Sequence, residues 1–261
     1  IHWYPGHIAK AERQLREKLN QVDIVLEVLD ARIPYSGAYE NSNKLTGSKL
    51  KIILLNKSDA ADDKKTKIWK KKIEEKYNCP CLLTTAKNQK DTKIIINKIL
   101  ETSIPIFEKL KSKGLLKRAI RAMVIGMPNV GKSSIINKLT GTKKTKTGAK
   151  AGVTRVQQWV RVCNEIELLD TPGIIPTVQD NQLKALRLAM VNSISENAYD
   201  NEFVAEELLK ILDKDYPEIT KAYYGTSTLS IEEIAISRNW IIKNQMPDIT
   251  RTSQFILTNF R

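Results

Sequence analysis

Three polar motifs each follow an apolar run of strand length, and their order along the chain restricts the fold more than any other property of the sequence. The first is Asn56-Lys57-Ser58-Asp59, the second runs from Gly126 to Ser133 as GMPNVGKS, and the third is Asp170-Thr171-Pro172-Gly173. Apolar runs that alternate with helix-like segments predict an α/β fold with a mainly parallel sheet. Because ligand loops lie at the carboxyl ends of such strands, we expect the three motifs to share one site.

The second motif has the spacing of a phosphate-binding loop between a strand and a helix. Its glycines allow close backbone approach, and N–H groups at a helix N-terminus bind phosphate. We predict that Lys132 reaches the β- and γ-phosphates and that Ser133 binds Mg²⁺. The predicted nucleotide contacts of this loop are Met127, Pro128, Asn129, Val130, Gly131, Lys132, Ser133 and Ser134.

The first motif predicts recognition of guanine. The carboxylate of Asp59 can accept hydrogen bonds from N1–H and the N2 amine of guanine, which adenine does not offer, so GTP is favoured and an ATP-dependent kinase is disfavoured. Asn56 is expected to tie this loop to the rest of the pocket, and the stem of Lys57 to cover the base. Thr85-Ala86-Lys87, after another strand, is expected to place a backbone N–H near guanine O6.

The third motif predicts a magnesium and γ-phosphate sensor. Asp170 is expected to hold Mg²⁺ through water, and the N–H of Gly173 to meet the γ-phosphate. Thr154 is the candidate switch threonine, whose hydroxyl would complete the magnesium shell during catalysis; an ordinary loop threonine is the alternative.

In an ordinary GTPase the phosphate loop comes first and the base-recognition loop follows the sensor. Here the base-recognition loop precedes both, so residues 1–176 are predicted to be a circularly permuted GTPase domain. A basic connector near residues 101–118 would join the old termini, and the new ends would open beside the sensor. Residues 177–261 show only helical patterns and predict a small all-α domain that docks on RNA or the ribosome.

The residue after the sensor is Ile174, where many GTPases have a glutamine that orients the attacking water. His7, on the new N-terminal arm, is the candidate that orients or activates this water, with a structural histidine in an aromatic turn as the alternative. Asn129 is a candidate ligand of K⁺ between the phosphates, with a simple turn residue after Pro128 as the alternative.

The charge of the chain is uneven. Its formal net charge is +14. Residues 1–179 contain 34 Lys and Arg against 17 Asp and Glu, a net of +17, whereas residues 180–261 contain 9 against 12, a net of −3. This excess favours a nucleic-acid partner, and contacts with phosphate are expected mainly in the first two-thirds, at Lys64–Lys67, Lys70–Lys72 and Lys143–Lys146. A solvated surface is the alternative interpretation of these lysines.

The cysteines Cys79, Cys81 and Cys163 do not form a disulfide framework, which favours a reducing cytoplasm or the interior of an organelle. No apolar run approaches the ~20 residues that cross a bilayer, so no membrane partner is expected. Nothing in the sequence requires more than a monomer. The lysine-rich segment from Asp62 to Tyr77 predicts a helix with Ile68, Trp69 and Ile73 on one face.

Together these residues resemble the circularly permuted GTPases, most closely the ribosome biogenesis GTPase A family of bacterial large-subunit assembly factors. Trp3-Tyr4-Pro5-Gly6-His7-Ile8-Ala9-Lys10-Ala11, Asp30-Ala31-Arg32-Ile33-Pro34 and the permuted motif order are specific in combination, and the resemblance covers nearly the whole chain. It implies a catalytic role for His7, a potassium-linked Asn129, a hydrophobic residue at Ile174 and a helical C-terminal domain that helps dock on ribosomal RNA. The acidic balance of residues 180–261 departs from that last property.

The resemblance implies a GTP-hydrolysing factor that binds a large ribosomal subunit precursor in its GTP state and is released on hydrolysis, with turnover stimulated by the particle. Two alternatives remain at this point. One is a permuted GTPase that acts on the small subunit, and the other is a scaffold that binds GTP with negligible hydrolysis.

Overall fold

The computed structural model describes residues 5–85, 88, 90–141, 159–170, 173–174 and 181–261, without the side chains of residues 5–11 and 174. The chain folds into two compact units, one that ends at residue 178 and one that begins at residue 179. The functional roles predicted for the two domains remain predictions.

The first unit is built on a predominantly parallel sheet, as the sequence predicted. The strands are β1 Ile24–Asp30, β2 Leu50–Asn56, β3 Cys81–Leu83, β4 Ile120–Gly126, β5 Trp159–Cys163, β6 Ile166–Leu169 and β7 Gly173–Ile174. Their order in the part of the chain described is β3-β2-β1-β4-β6-β5, with β7 paired to β4. Only β5 among these strands runs antiparallel to its neighbour. The strands β1, β2 and β4 are almost wholly buried, as expected for a parallel sheet covered on both faces.

Helices surround this sheet. They are α1 Pro5–Leu19, α2 Pro34–Gly37, α3 Ser42–Thr46, α4 Asp63–Tyr77, α5 Lys90–Thr102, α6 Ile104–Ser112 and α7 Lys132–Thr140, with a 3-10 turn at Ser58–Ala60. The segment predicted as a connector between residues 101 and 118 contains α6, because Pro105 lies in the first turn, where a helix tolerates proline. The sequence-based interpretation of this segment as a connector missed this helix.

Helix α4 begins where Asp62 caps it, since the Asp62 carboxylate accepts the N–H of Lys65 at 2.9 Å. Its buried residues are Thr66 and Ile73, which are seven positions apart and share one face. Ile68 is 55% exposed, so the prediction that it shares one face with the buried Ile73 was wrong. The two residues are five positions apart, which places their side chains about 140° apart around the helix.

A buried ion pair joins the neighbouring strands β1 and β2. Lys51 Nζ on β2 lies 3.2 Å from Glu27 Oε2 on β1, and Ser42 of α3 donates its hydroxyl to the same carboxylate oxygen at 2.5 Å. Both side chains are more than nine-tenths buried, so their hydrogen bonds offset the cost of removing charge from water. The same two strands are in register at Asp30 and Asn56, where the site begins.

The second unit is helical, as predicted. Its helices are α8 Gln182–Met190, α9 Asn201–Asp215, α10 Pro217–Tyr224, α11 Ile231–Ser237 and α12 Ile249–Phe260, with 3-10 turns at Glu196–Ala198 and Lys243–Gln245. Its core includes Met190, Leu208, Ile234 and Ile256. Ser230 caps α11 by accepting the N–H of Glu233 at 3.1 Å, the spacing of a capping box. None of the helices in the described residues is both long and apolar enough to span a membrane.

Candidate functional site

The phosphate-loop motif joins β4 to α7 by a loop that needs unusual backbone conformations. Gly126, Asn129 and Gly131 have φ values of 154°, 57° and 98°. A Cβ at Gly126 would lie 2.5 Å from the carbonyl oxygen of Val28, so only glycine fits beside β1. Asparagine tolerates the left-handed conformation at position 129, which gives that residue a backbone role whether or not it binds K⁺. The loop leads directly into the N-terminus of α7, a geometry that suits phosphate.

Lys132 is the first residue of α7 and is buried. Its Nζ donates a hydrogen bond to the carbonyl oxygen of Met127 at 2.5 Å. Burial lowers the pKa of Lys132 from 10.5 to about 8, because the charged ammonium is poorly solvated there. A phosphate group beside Lys132 would stabilise the charged ammonium in place of water, so the site is electrostatically suited to an anion.

The lowered pKa predicts that nucleotide affinity depends on pH. Below about pH 8, the buried charge of Lys132 lowers the free energy of unfolding of the nucleotide-free protein. This destabilisation decreases as the pH rises from about 8 toward 10.5, where Lys132 is neutral in the folded state. Bound phosphates favour the charged form of Lys132. Nucleotide binding above the pKa that Lys132 has in the nucleotide-free protein is therefore accompanied by uptake of a proton by Lys132. We expect GDP affinity to fall roughly tenfold between about pH 7 and about pH 9, with proton uptake rising toward one. Calorimetry in two buffers of different ionisation enthalpy measures both quantities, and a pH-independent affinity would contradict this role of Lys132.

Asn56 connects the base-recognition loop to the phosphate loop. It is the last residue of β2, and its side-chain amide donates to the carbonyl oxygen of Val130 at 2.8 Å across 74 residues of sequence. The hydroxyl of Thr84 donates to Asn56 Oδ1 at 3.3 Å. A Cβ at Gly131 would lie 2.2 Å from Asn56 Nδ2, so glycine at that position makes the contact possible. The structure thus brings together the first two motifs.

The residues after Asn56 are supported by a buried carboxylate. Lys57 has a left-handed backbone, and its Nζ lies 3.2 Å from Asp30 Oδ2. Arg32 lies 2.7 Å from the same oxygen. Burial opposes ionisation of Asp30, but hydrogen bonds and charge from Arg32, with charge from Lys57, hold its pKa below the usual value. Asp59 is exposed within the 3-10 turn, where its carboxylate can reach a ligand.

The supporting roles of Asp30 and Arg32 were not predicted, although both belong to a segment that the sequence singled out. The ion pair is local, because Arg32 follows Asp30 by two residues, and an acidic residue at the end of a buried strand could have suggested it. Its consequence for Lys57 depends on the register of β1 against β2, which the sequence does not specify.

The loop after β3 is bonded to both neighbouring motifs. The carbonyl oxygen of Thr84 accepts hydrogen bonds from the backbone N–H and the hydroxyl of Ser58, at 3.1 and 3.0 Å. Lys138 near the end of α7 donates to the carbonyl oxygen of Thr85 at 2.8 Å. Lys138 was not predicted, since a lysine in a helix gives no sequence signal of a partner 53 residues away.

The sensor motif lies beside the phosphate loop. Asp170 directly follows β6, and Gly173 of β7 pairs with Ile125, next to the glycine that begins the phosphate loop. A Cβ at Gly173 would lie 2.6 Å from Leu15 Cδ1 and 2.8 Å from Met123 Cε. Glycine therefore permits α1 to pack closely on the strand that contains the sensor.

Some predicted site residues lie outside the described part of the chain. They are Ala86, Lys87 and Thr154 and the side chains of His7 and Ile174. The remaining predicted contacts of the phosphate loop lie in the loop between β4 and α7 or in the first turn of α7, and their roles toward a nucleotide remain predictions.

Several known proteins are similar to this chain. A family model described as 50S ribosome-binding GTPase matches residues 121–240. Ribosome biogenesis GTPase A of Bacillus licheniformis is 39% identical over 100% of this chain and 94% of its own length. The protein of that name from Thermotoga maritima is 33% identical over 99% of this chain and 89% of its own length. Mitochondrial ribosome-associated GTPase 1 of Mus musculus is 34% identical over 96% of this chain and 77% of its own length.

Two solved structures have a similar fold over nearly the whole chain. The GDP-bound structure of TM YlqF has a TM-score of 0.69 at 27% identity and covers 95% of this chain and 93% of its own. The GNP-bound YlqF from T. maritima has a TM-score of 0.68 at 29% identity, with coverage of 96% and 93%.

Proposed function

This chain belongs to the ribosome biogenesis GTPase A family and is a GTPase of ribosome assembly, and we propose that it acts on a precursor of the large ribosomal subunit. In this proposal the GTP-bound protein binds the particle, the particle stimulates hydrolysis, and the GDP-bound protein is released. The nucleotide part of the proposal is supported most by the hydrogen bond between Asn56 and Val130, which joins the loop predicted to recognise guanine to the predicted phosphate loop despite their permuted order. The large-subunit part is supported by the description of the matching family model, 50S ribosome-binding GTPase.

The donor set of the pocket suits a magnesium nucleotide. The Ser133 hydroxyl, the Asp170 carboxylate and the Thr154 hydroxyl are hard oxygen ligands of the kind that Mg²⁺ prefers. Ser133 follows β4 and Asp170 follows β6, and these strands are neighbours in the sheet. Mg²⁺ would neutralise phosphate charge there, while Lys132 stabilises the charge that develops on the transferring group. Asn129 is proposed to hold K⁺ beside the phosphates.

His7 is proposed to orient the attacking water. An aliphatic side chain at Ile174 has no polar atom for that task. His7 belongs to α1, the helix whose residue Leu15 packs against Gly173 of the sensor strand. The helix that contains His7 therefore packs against the strand that contains the predicted γ-phosphate sensor.

A conformational change of the sensor on loss of the γ-phosphate can be transmitted to the helical unit through the short segment of chain that connects them. The helical unit begins at residue 179, only a few residues beyond Gly173. A sensor that changes conformation on hydrolysis is thus linked directly to a second domain, which is the arrangement needed for release of a bound particle.

The lysine-rich face of α4 is the proposed contact with ribosomal RNA. Lys64, Lys67 and Lys71 are exposed and share one helical face at spacings of three and four residues. Trp69 lies on another side of the helix, about 140–160° around the axis from these lysines. Its ring is 5.9 Å from that of Tyr35, and Lys72 Nζ is 5.3 Å from its centre. The exposed cations of the lysine face suit a phosphate backbone. The lysines at Lys143–Lys146 lie outside the described residues.

Binding of this protein to purified large subunits tests the proposal. We expect tighter binding with a non-hydrolysable GTP analogue than with GDP. Replacement of Lys64, Lys67 and Lys71 by glutamine should weaken binding and reduce the slope of log affinity against log salt by about one per lost phosphate contact.

The matched control replaces Lys109, Lys111 and Lys113 in and after α6, which removes the same charge from another exposed segment of the same unit. Equal losses in the two triple variants would contradict a specific contact at α4. Equal binding of the GTP-analogue and GDP states would contradict nucleotide-controlled release.

A further inference from the structure

One buried lysine and one buried aspartate hold the loop after β3 against α7. Lys138 Nζ donates to the carbonyl oxygen of Thr85 at 2.8 Å and to that of Asn88, and it lies 3.7 Å from Asp91 Oδ2. The side chains of Lys138 and Asp91 are 11% and 7% exposed. Both charges are thus largely removed from water, and each compensates the other.

Asp91 fixes the same loop from its other side. Its Oδ2 accepts the backbone N–H of Thr85 at 2.8 Å, and its Oδ1 accepts the side-chain amide of Asn88 at 2.8 Å. Asp91 lies in the first turn of α5 and Lys138 in the last turn of α7, and these helices pack against each other. The loop is therefore bonded to the helix that begins at the phosphate loop.

We propose that Lys138 and Asp91 are positioning residues of the guanine site. They hold Thr85 and Asn88, which flank the predicted base contact, against the helix that begins at the phosphate loop. Lys138 is six residues from Lys132, about 9 Å along the helix, so it acts on the base end of the site and not on the phosphates. This inference rests on the proposed function only for the guanine nucleotide, and not for the ribosomal partner.

Loss of the Lys138 ammonium would leave buried polar groups without a partner. Replacement of Lys138 by methionine preserves most of the apolar stem but leaves two carbonyl oxygens and the Asp91 carboxylate without their cation. Buried polar groups that lose a partner regain one by moving toward water. Thr85 and Asn88 would then no longer be held against α7, and the predicted contact of the segment between them with guanine O6 would weaken.

Dissociation constants of GDP, IDP and pyrophosphate test the inference on the isolated protein. GDP and IDP share the O6 atom, and pyrophosphate has no base. In Lys138→Met we expect affinity for GDP and for IDP to fall by about tenfold each, with pyrophosphate binding unchanged. Lys138→Arg keeps a cation with several donors and should lie closer to the wild type.

Two further variants control for folding and for loss of charge. Asp91→Asn keeps an oxygen that can accept the Thr85 N–H, removes the charge opposite Lys138, and should also weaken GDP and IDP but not pyrophosphate. Lys98→Met removes a lysine from the surface of α5, where it pairs with Glu101 at 2.6 Å, and should leave all three constants unchanged.

Unchanged GDP affinity in folded Lys138→Met and Asp91→Asn would overturn the positioning role, as would an equal loss for pyrophosphate. Failure of the wild-type protein to bind GDP would instead overturn the proposed function. Failure to bind ribosomal subunits would leave this assignment standing.

Discussion

Replacement of His7 by alanine is expected to reduce particle-stimulated GTP hydrolysis by about 10²–10⁴-fold, the usual contribution of a group that orients or activates the attacking water. Affinity for GTP and GDP should remain unchanged, because the nucleotide is held by the loops at Asn56 and Lys132. The reason for so large an effect is that Ile174 leaves no polar side chain after the sensor to perform the same task. Acid-quenched, single-turnover conversion of GTP to GDP with saturating large subunits measures the chemical step separately from product release.

His2→Ala is the matched control, since it removes the other histidine of the chain and is expected to be neutral. A loss of large-subunit binding in His7→Ala would show that His7 acts by docking and not on water. Turnover of His7→Ala equal to that of the wild type would return His7 to a structural role in its aromatic turn.

Replacement of Asp59 by asparagine is expected to change the base that the site prefers. The carboxylate can accept from both N1–H and the N2 amine of guanine, whereas the asparagine amide presents one acceptor and one donor. The substitution removes the charge that accepts both hydrogen bonds from guanine, so GDP affinity should fall about 10²-fold or more. Xanthine has an oxygen in place of the N2 amine, so the amide can donate to it and XDP should bind better than GDP. Competition of the two nucleotides at equilibrium measures this change.

Asp62→Asn is the control for Asp59→Asn, because it also neutralises a carboxylate in the same segment while keeping an oxygen that can cap α4. We expect it to preserve the preference for guanine. An unchanged base preference in Asp59→Asn would mean that this loop does not recognise the base.

The α/β architecture and the helical second unit were predictable because buried parallel strands and amphipathic helices leave strong periodic patterns. The errors came from weaker signals. Residues 101–118 were interpreted only as a connector, although proline in a first turn is compatible with the helix α6. Ile68 was assigned to the same face of α4 as Ile73, although the two lie five positions apart and only Ile73 is buried.

The loops of the candidate site were predictable because their chemistry depends on short motifs. Glycine at positions 126 and 131 and the amide of Asn56 are required by contacts that the structure shows. The support of those loops was not predictable, because it depends on partners distant in sequence. Lys138 reaches Thr85 only because α5 and α7 pack together, and Lys57 meets Asp30 only in the observed strand register.

GTP turnover by the wild-type protein in K⁺ should be compared for the protein alone, with purified large subunits and with purified small subunits. We expect slow turnover by the protein alone, clear stimulation by large subunits and none by small subunits. Stimulation by small subunits would contradict the proposed partner. Absence of stimulation by either particle would contradict a GTPase cycle controlled by the ribosome and favour a scaffold that binds GTP without particle-dependent hydrolysis.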